Sequence, residues 1–278
     1  MRWLITGAGG MLGRDLCAVL AEAGETDVVA AGRADLDITD AAAVRSAVDG
    51  ADVVVNAAAW TNVDGAETDE PAATAVNGYA VRNLAEAAGK RLIQVSTDYV
   101  FDGAAGVPYE PTDQTTPRSV YGQSKLDGEL AVLQTLPDAS HVVRTAWVYG
   151  GPGANFVDTM RRLERQRHTV EVVDDQVGSP TWVRDLAAAL VVLGRSDVPP
   201  GVLHYVNSGR ASWCELAREV FRLVGADPAR VHAVDTAASR RPAPRPVWSV
   251  LSTASWTNSG LPAPRPWPEA LAESLRVG

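Results

Sequence analysis

Thr6-Gly7-Ala8-Gly9-Gly10-Met11-Leu12-Gly13 decides the fold of this chain. It follows the short apolar run Arg2-Trp-Leu-Ile-Thr6, which reads as a strand. After it, Leu12, Leu16, Val19, Leu20 and Ala23 recur at helical spacing until Gly24 stops the helix. Strand, glycine turn and helix in that order form the context of a dinucleotide-binding fingerprint. Gly7 permits the tight turn, Gly10 lets the backbone approach a pyrophosphate, and Gly13 lets helix and strand pack closely. The anion then lies on the helix N-terminus, where free N–H groups and the helix dipole favour it. Gly9, Met11 and Leu12 belong to the same cradle. The spacing is G-x-x-G-x-x-G, one variant of the pattern.

Working outward, the second strand, Asp27-Val-Val-Ala-Ala31, ends at Gly32-Arg33. A site for NAD usually carries an acid there, to bind the ribose hydroxyls. Arg33 instead offers a planar fork to a 2′-phosphate, which favours NADPH, with NADH as the alternative. The other reading of Arg33 is a solvent-facing cation. Asp37-Ile38 is either an adenine contact or a turn acid and its neighbour before the next helix.

Strand and helix patterns continue to alternate, which reads as βαβ units around a parallel sheet. Val53-Val-Val-Asn56 is a third strand, residues 72–88 a helix ended by Gly89, and Arg91–Val95 a fourth strand running into Ser96-Thr97-Asp98. Residues 102–118 form a loop, residues 121–136 a helix closed by Pro137, and Val142-Val143 begins another strand. Ligands in such sheets bind at the carboxyl ends of the strands. That is where Thr97 and Tyr121-Gly-Gln-Ser-Lys125 fall. Tyr121 and Lys125 are four apart and share one helix face. An ammonium beside a phenol favours phenolate, so the spacing predicts a Tyr pKa lowered toward neutrality and a usable proton donor or acceptor. A Thr97 hydroxyl would hold the substrate oxygen in line with the phenol.

Past about residue 150 the pattern loosens. Gly150-Gly-Pro-Gly153 reads as a boundary. A basic helix at 156–167, a strand at 169–173, a loop at 178–180 and an apolar helix at 185–193 follow. Ser212-Trp-Cys-Glu215 is a capping box for a helix reaching Val224. Arg240-Arg-Pro-Ala-Pro-Arg-Pro246 is too rich in proline for a regular helix. Its three arginines could hold a diphosphate, or form a solvated basic loop. The expectation is an α/β fold. Residues 1–150 form a Rossmann, doubly wound parallel sheet, and 151–278 a smaller C-terminal α/β lobe with segments folding back on the first domain.

Composition narrows the class. A chain of 278 residues with 46% hydrophobic content supports a sizeable core. A net charge of −9 argues against nucleic acid as a partner. No run approaches the length of a membrane span, and the start reads as a strand rather than a signal peptide. Two well-separated cysteines, Cys17 and Cys214, and four histidines without ligand spacing give neither a disulfide scaffold nor a metal signal. A reducing cytoplasm fits.

Taken together, the chain resembles the extended short-chain dehydrogenase/reductases and, within them, the dTDP-4-dehydrorhamnose reductase family. The resemblance rests on Thr6-Gly7-x-x-Gly10-x-x-Gly13, Val55-Asn56-Ala57-Ala58-Ala59, Thr61-x-Val63-Asp64, Ser96-Thr97-Asp98-Tyr99-Val100-Phe101, Tyr121-Gly-x-x-Lys125, Arg144-Thr-x-Trp147-Val-Tyr149, Asn155-Phe156 and Arg241-Pro242. These span almost the whole chain in the family's order. The resemblance implies hydride transfer from NADPH to C4 of a dTDP-4-keto-6-deoxyhexose, with Thr97, Tyr121 and Lys125 catalytic. Lys125 and Tyr121 would also face the nicotinamide ribose. Asn56, Ala57, Ala58 and Ala59 would run beneath the cofactor, with Asn77 nearby. Val63, Thr97, Asp98, Tyr99, Tyr121, Trp147, Asn155, Phe156 and Arg241 would line the sugar-nucleotide pocket. Trp147 has an ordinary alternative as a packing aromatic. The Arg240–Arg241 doublet stands where one arginine is usual, so the resemblance does not say which faces the nucleotide. Some family members hold magnesium at a subunit interface, but no acidic cluster here carries that over. A homodimer is compatible with this reading.

Overall fold

The computed structural model of the chain describes residues 1–151, 153–238 and 241–277. Arg240 lies outside the described residues. The first half runs β1 (Trp3–Thr6), α1 (Met11–Glu22), β2 (Val28–Ala31), α2 (Ala41–Val48), β3 (Val53–Asn56), α3 (Val63–Ala66), α4 (Glu70–Thr74), α5 (Ala80–Ala87), β4 (Arg91–Thr97), α6 (Val120–Thr135), β5 (Ser140–Thr145) and β6 (Val148–Tyr149). The second half runs α7 (Phe156–Gln166), β7 (Val170–Val173), β8 (Val177–Gly178), β9 (Thr181–Trp182), α8 (Val183–Arg195), β10 (Gly201–His204), β11 (Ala211–Ser212), α9 (Trp213–Leu223), β12 (Val231–Val234), α10 (Ala254–Asn258) and α11 (Trp267–Val277).

Six strands form one parallel sheet in the order β10-β5-β4-β3-β1-β2. The order in which successive strands are laid down reverses between β1 and β3, so the ligand crevice of this fold opens above those two strands. Every residue of β1, β3 and β5 is buried, as expected for strands covered on both faces. One core packs Trp3, Ile5, Leu16, Leu20, Leu186 and Leu190 on the α1/α8 side. The other packs Leu4, Val44, Val54, Leu84 and Val132 under α2, α5 and α6. A third cluster, built around Trp182, Leu216, Val220 and Phe221, fills the C-terminal layer.

The expected helix at 72–88 begins earlier, at Glu70, and is not uniform. Residues Ala75–Tyr79 adopt a single π-turn between α4 and α5. Gly128 of α6 explains part of this. A Cβ there would lie 2.2 Å from the Asn77 carbonyl oxygen, so the two backbones touch. The expected loop at 178–180 is flanked by two short strands, β8 and β9, which pair with β11 and β6.

Candidate active site

The glycine turn behaves as its spacing predicts. Gly7 has φ +67, and a Cβ on it would lie 2.6 Å from the Ala58 nitrogen. A Cβ on Gly13 would sit 2.3 Å from the Gly7 carbonyl oxygen, so helix and turn are in backbone contact. Gly9 faces open space. Gly10 caps α1 without any side-chain bond, which leaves the first N–H groups of the helix facing the crevice. Met11 and Leu12 open the helix. A pyrophosphate fits this arrangement.

Beneath the crevice a buried polar chain crosses the strand ends. Thr6 Oγ1 donates to Asn56 Oδ1 at 2.5 Å, and Asn56 Nδ2 donates to Gln94 Oε1 at 2.7 Å. Gln94 Nε2 donates to the Val95 carbonyl at 2.8 Å, and Lys125 Nζ donates to the same carbonyl at 2.6 Å. Asn56 Oδ1 also accepts from the Ala58 N–H, which shapes the Ala57–Ala59 segment. Gln94 was not singled out in the sequence. Its type fits a strand interior poorly, and that is the one signal that could have drawn attention to it. Asn77 is buried in the π-turn. Its amide holds the Trp60 backbone through two bonds and donates to Ser124 Oγ, which in turn donates to the Tyr121 carbonyl. Asn77 therefore fixes the chain after β3 against the helix that carries Tyr121 and Lys125.

At the end of β4, Thr97 Oγ1 donates to Asp98 Oδ1 at 3.0 Å and accepts from the Tyr99 N–H. Asp98 is fully enclosed. Burial pushes its carboxyl up to about 6, against the pull of the nearby Ser249 hydroxyl and of the Thr97 bond. The Tyr99 ring stands edge-on to Tyr121, with centroids 5.5 Å apart.

The expected lowering of the Tyr121 pKa is corrected here. Burial pushes the phenol up to about 12, with a pull downward from the Thr97 hydroxyl and a further push from Asp98. Lys125 suffers the same burial, which lowers it to about 8 against the attraction of Glu129. An ammonium so close to losing its proton, and bound to the Val95 carbonyl, does not bring the phenol to neutrality. Tyr121 is a neutral donor at physiological pH.

A cleft of about 940 Å³ is lined by Tyr99, Phe156, Met160, Trp213, Arg241 and Arg245, among others. Of the residues expected around the sugar nucleotide, Tyr99, Phe156 and Arg241 line it. Asn155 is spent as the N-cap of α7, bonding the Asp158 N–H and carboxylate. Trp147 lies one layer behind. Its indole stacks on Trp213 at 3.5 Å, and its φ of +47 is a strained value for a bulky residue. Val63 opens α3, beside the acid that pairs with the arginine loop. Arg245, from the three-arginine loop, also lines the cleft, and Trp213 and Thr236 complete it from positions that no local pattern connects to it.

On the other side of the crevice, Arg33 is exposed at the end of β2. Asp35, two residues on, turns back to accept from the Gly32 N–H at 2.9 Å. Asp37 has the bonds of a turn acid. It is exposed and accepts from the Thr39 N–H and hydroxyl, which hold it below the usual carboxylate range. Ile38 is buried beside it. Among the described residues no group of three or more metal-ligating side chains is gathered, and no helix is long and apolar enough to cross a membrane.

The family model described as the RmlD substrate binding domain matches residues 1–277. The chain belongs to the dTDP-4-dehydrorhamnose reductase family. A dTDP-4-dehydrorhamnose reductase of Streptomyces griseus is 52% identical, with 99% of this chain and 93% of that protein aligned. A probable dTDP-4,6-dihydroxy-2-methyloxan-3-one 4-ketoreductase of Streptomyces antibioticus is 51% identical, with 99% and 95% aligned. The crystal structure of a dTDP-4-dehydrorhamnose reductase from Bacillus anthracis in complex with NADP superposes with a TM-score of 0.94 at 34% identity, covering 100% of this chain and 99% of that one. The similarity to these reductases thus spans the whole length of the chain.

Lys125 sets one pH dependence. Its cation is present below about 8 and is lost as pH rises through that value. NADPH affinity, measured by fluorescence titration, should weaken across that range in the native chain and stay flat in Lys125→Met. A break that survives in Lys125→Met would assign it to another group.

Proposed function

We propose that the chain reduces the C4 ketone of dTDP-4-dehydro-L-rhamnose to dTDP-L-rhamnose with NADPH. The chain is an NADP-dependent oxidoreductase of the reductase family. The observation that carries the specific reading is the lining of the cleft. Tyr99, which stands edge-on to Tyr121, shares that lining with Arg241 and Arg245, so a keto sugar beside Tyr121 and a diphosphate against the arginines suit its chemistry. Residues 1–150, together with α8 and β10, would hold the cofactor. The remainder of 151–278 would hold the nucleotide. The two cysteines are unpaired, which suits a cytoplasmic enzyme.

When bound, NADPH supplies the hydride. Tyr121 gives its proton to the oxygen that becomes the alcohol, and its high pKa keeps that proton in place until the alkoxide forms. An alkoxide is a far stronger base than a phenolate, so the transfer runs downhill. Thr97 orients the ketone oxygen by turning its one hydroxyl proton from Asp98 to the substrate, while the Tyr99 amide holds its oxygen in place. Lys125 places a cation against the nicotinamide ribose. Arg33 reads the 2′-phosphate. Arg33→Ala should therefore weaken NADPH by roughly tenfold while changing NADH far less. Equal losses for both cofactors would remove that role.

The test is coupled turnover from dTDP-glucose with the upstream dehydratase and epimerase and NADPH, with the product identified by NMR. dTDP-L-rhamnose is the expected product. The Streptomyces antibioticus ketoreductase, almost as similar as the rhamnose enzyme, favours a second reading in which another dTDP-4-keto-6-deoxyhexose is the substrate. Consumption of NADPH only when the epimerase is left out would select it.

A further inference from the structure

Two arginines of the loop 241–246 share a single carboxylate, and it comes from the opposite half of the chain. Asp64 sits in the first turn of α3, beside Val63. Its Oδ1 lies 3.0 Å from Arg245 Nη1 and accepts from the Ala243 N–H at 3.2 Å. Its Oδ2 lies 3.3 Å from Arg241 Nη1. Burial opposes the charge on Asp64, yet bonds from Arg245 and the Ala243 amide outweigh it and hold the carboxyl below the ordinary range. The loop is closed further by Arg245 Nη1 donating to the Ala243 carbonyl at 2.9 Å. On its far side Pro246 is seated against Gly103, where a Cβ would lie only 2.6 Å from the proline ring. Pro242, Pro244 and Pro246 have no N–H to give, so the Ala243 amide is one of the few backbone donors in the segment, and Asp64 takes it.

The two guanidinium groups are held unequally. Arg245 is only 15% exposed and is bound twice, whereas Arg241 is 60% exposed and has one long contact. Both line the cleft. One carboxylate facing two guanidinium groups leaves one positive charge in excess within this trio, and Glu171 is the other charged residue lining the cleft.

We propose that Asp64 is a positioning residue for the nucleoside diphosphate: it pre-sets the 241–246 loop so that Arg245 is fixed in the cleft and Arg241 is free to close on the diphosphate. This rests on the sugar-nucleotide reading above. The loop is ordered before the ligand arrives, and the ligand is spared the cost of ordering it. The Arg245 charge also reaches Tyr99, whose phenol it lowers against the stronger effect of burial, so the latch adjoins the wall next to Tyr121.

The test measures binding of dTDP and of thymidine by calorimetry to the full chain, native and Asp64→Asn. The variant is expected to lose about tenfold in dTDP affinity and less than about twofold for thymidine, which has no phosphate for the arginines to grip. NADPH affinity should hold, which shows that the fold is intact. Asp64→Glu keeps the charge on a longer stem and should recover part of the loss. In an Arg241→Ala/Arg245→Ala background the further change Asp64→Asn should cost nothing more, because both guanidinium partners are gone and the asparagine side-chain oxygen can still accept from the Ala243 N–H. In turnover the native-to-variant difference should appear in the KM for the sugar nucleotide and not in kcat.

Tighter dTDP binding by Asp64→Asn would mean that the carboxylate competes with the diphosphate, and would overturn the inference. So would an equal loss for thymidine, or an equal loss in the arginine-free background. A native chain that does not bind dTDP would bring down the sugar-nucleotide reading and this inference with it. Native binding that Asp64→Asn leaves unchanged would bring down this inference alone.

Discussion

Tyr121→Phe is expected to lower kcat on the order of 10²-fold or more while leaving NADPH affinity within about twofold. The substitution removes one hydroxyl from a ring whose packing against Tyr99 is unaffected, so the site keeps its shape. What is lost is the proton that the developing alkoxide needs. Water is a poor substitute, because it is not held in line with the ketone oxygen as a positioned acid is. Stopped-flow turnover alongside fluorescence titration of NADPH separates the two quantities. Unchanged kcat would show that the proton comes from elsewhere, and Asp98, enclosed and pushed up to about 6, would be the first group to examine. The high phenol pKa adds a second expectation for the native chain. No loss of turnover should track Tyr121 ionisation in the neutral range, and the alkaline limb should instead follow Lys125 near 8.

What the sequence revealed and what it hid divide along physical lines. The cradle Thr6–Gly13 was legible because backbone geometry dictates glycine there: Gly7 needs a positive φ, and Gly13 lies against the Gly7 carbonyl. The sheet was legible because its buried strands are short apolar runs. Tyr121 and Lys125 were legible because helix spacing places them together. The direction of the Tyr121 shift was not, because desolvation depends on enclosure by Asp98, Tyr99 and the strands beneath, none of which a four-residue spacing reports. The π-turn at Asn77 was hidden for a similar reason. It answers the close approach of Gly128 from another helix, which is a tertiary fact. The cleft was only partly visible: Tyr99, Trp213 and Thr236 come from distant parts of the chain, and no periodicity joins them. The three-arginine loop was read as either a diphosphate clamp or a solvated loop. What the sequence hid is that Arg241 and Arg245 pair with Asp64, 177 positions before Arg241.

The largest stability effect is expected from Glu129→Ala, at about 3–5 kcal/mol. Glu129 and Arg144 form a buried, two-pronged pair with both side chains almost fully enclosed. Arg144 Nε lies 3.0 Å from Oε1, and Nη2 lies 2.7 Å from Oε2. Removing the carboxylate strands a guanidinium that is still desolvated. A loss of that size should lower the thermal midpoint by roughly 10 °C or more in a chain of this length. The pair also anchors the 102–118 loop, because Arg144 Nη1 donates to the Pro111 carbonyl and approaches His204 Nε2 at 3.5 Å. Burial and the neighbouring Arg144 push His204 down to about 3, so it is neutral, with Nε2 the acceptor toward Arg144 and Nδ1–H the donor toward the Tyr109 carbonyl. Replacing both partners, as Glu129→Leu with Arg144→Met, removes the stranded charge and should recover much of the midpoint. It should not recover function equally. Glu129 lies one helical turn beyond Lys125 and is the charge that opposes the lowering of the Lys125 pKa. Without it the Lys125 cation is lost at a lower pH, so the double variant should unfold near the native temperature yet bind NADPH more weakly at pH 7.5. If scanning calorimetry and NADPH titration recover together, Glu129 acts through packing alone. If they part, the buried pair supports the fold and also keeps the Lys125 cation charged at working pH.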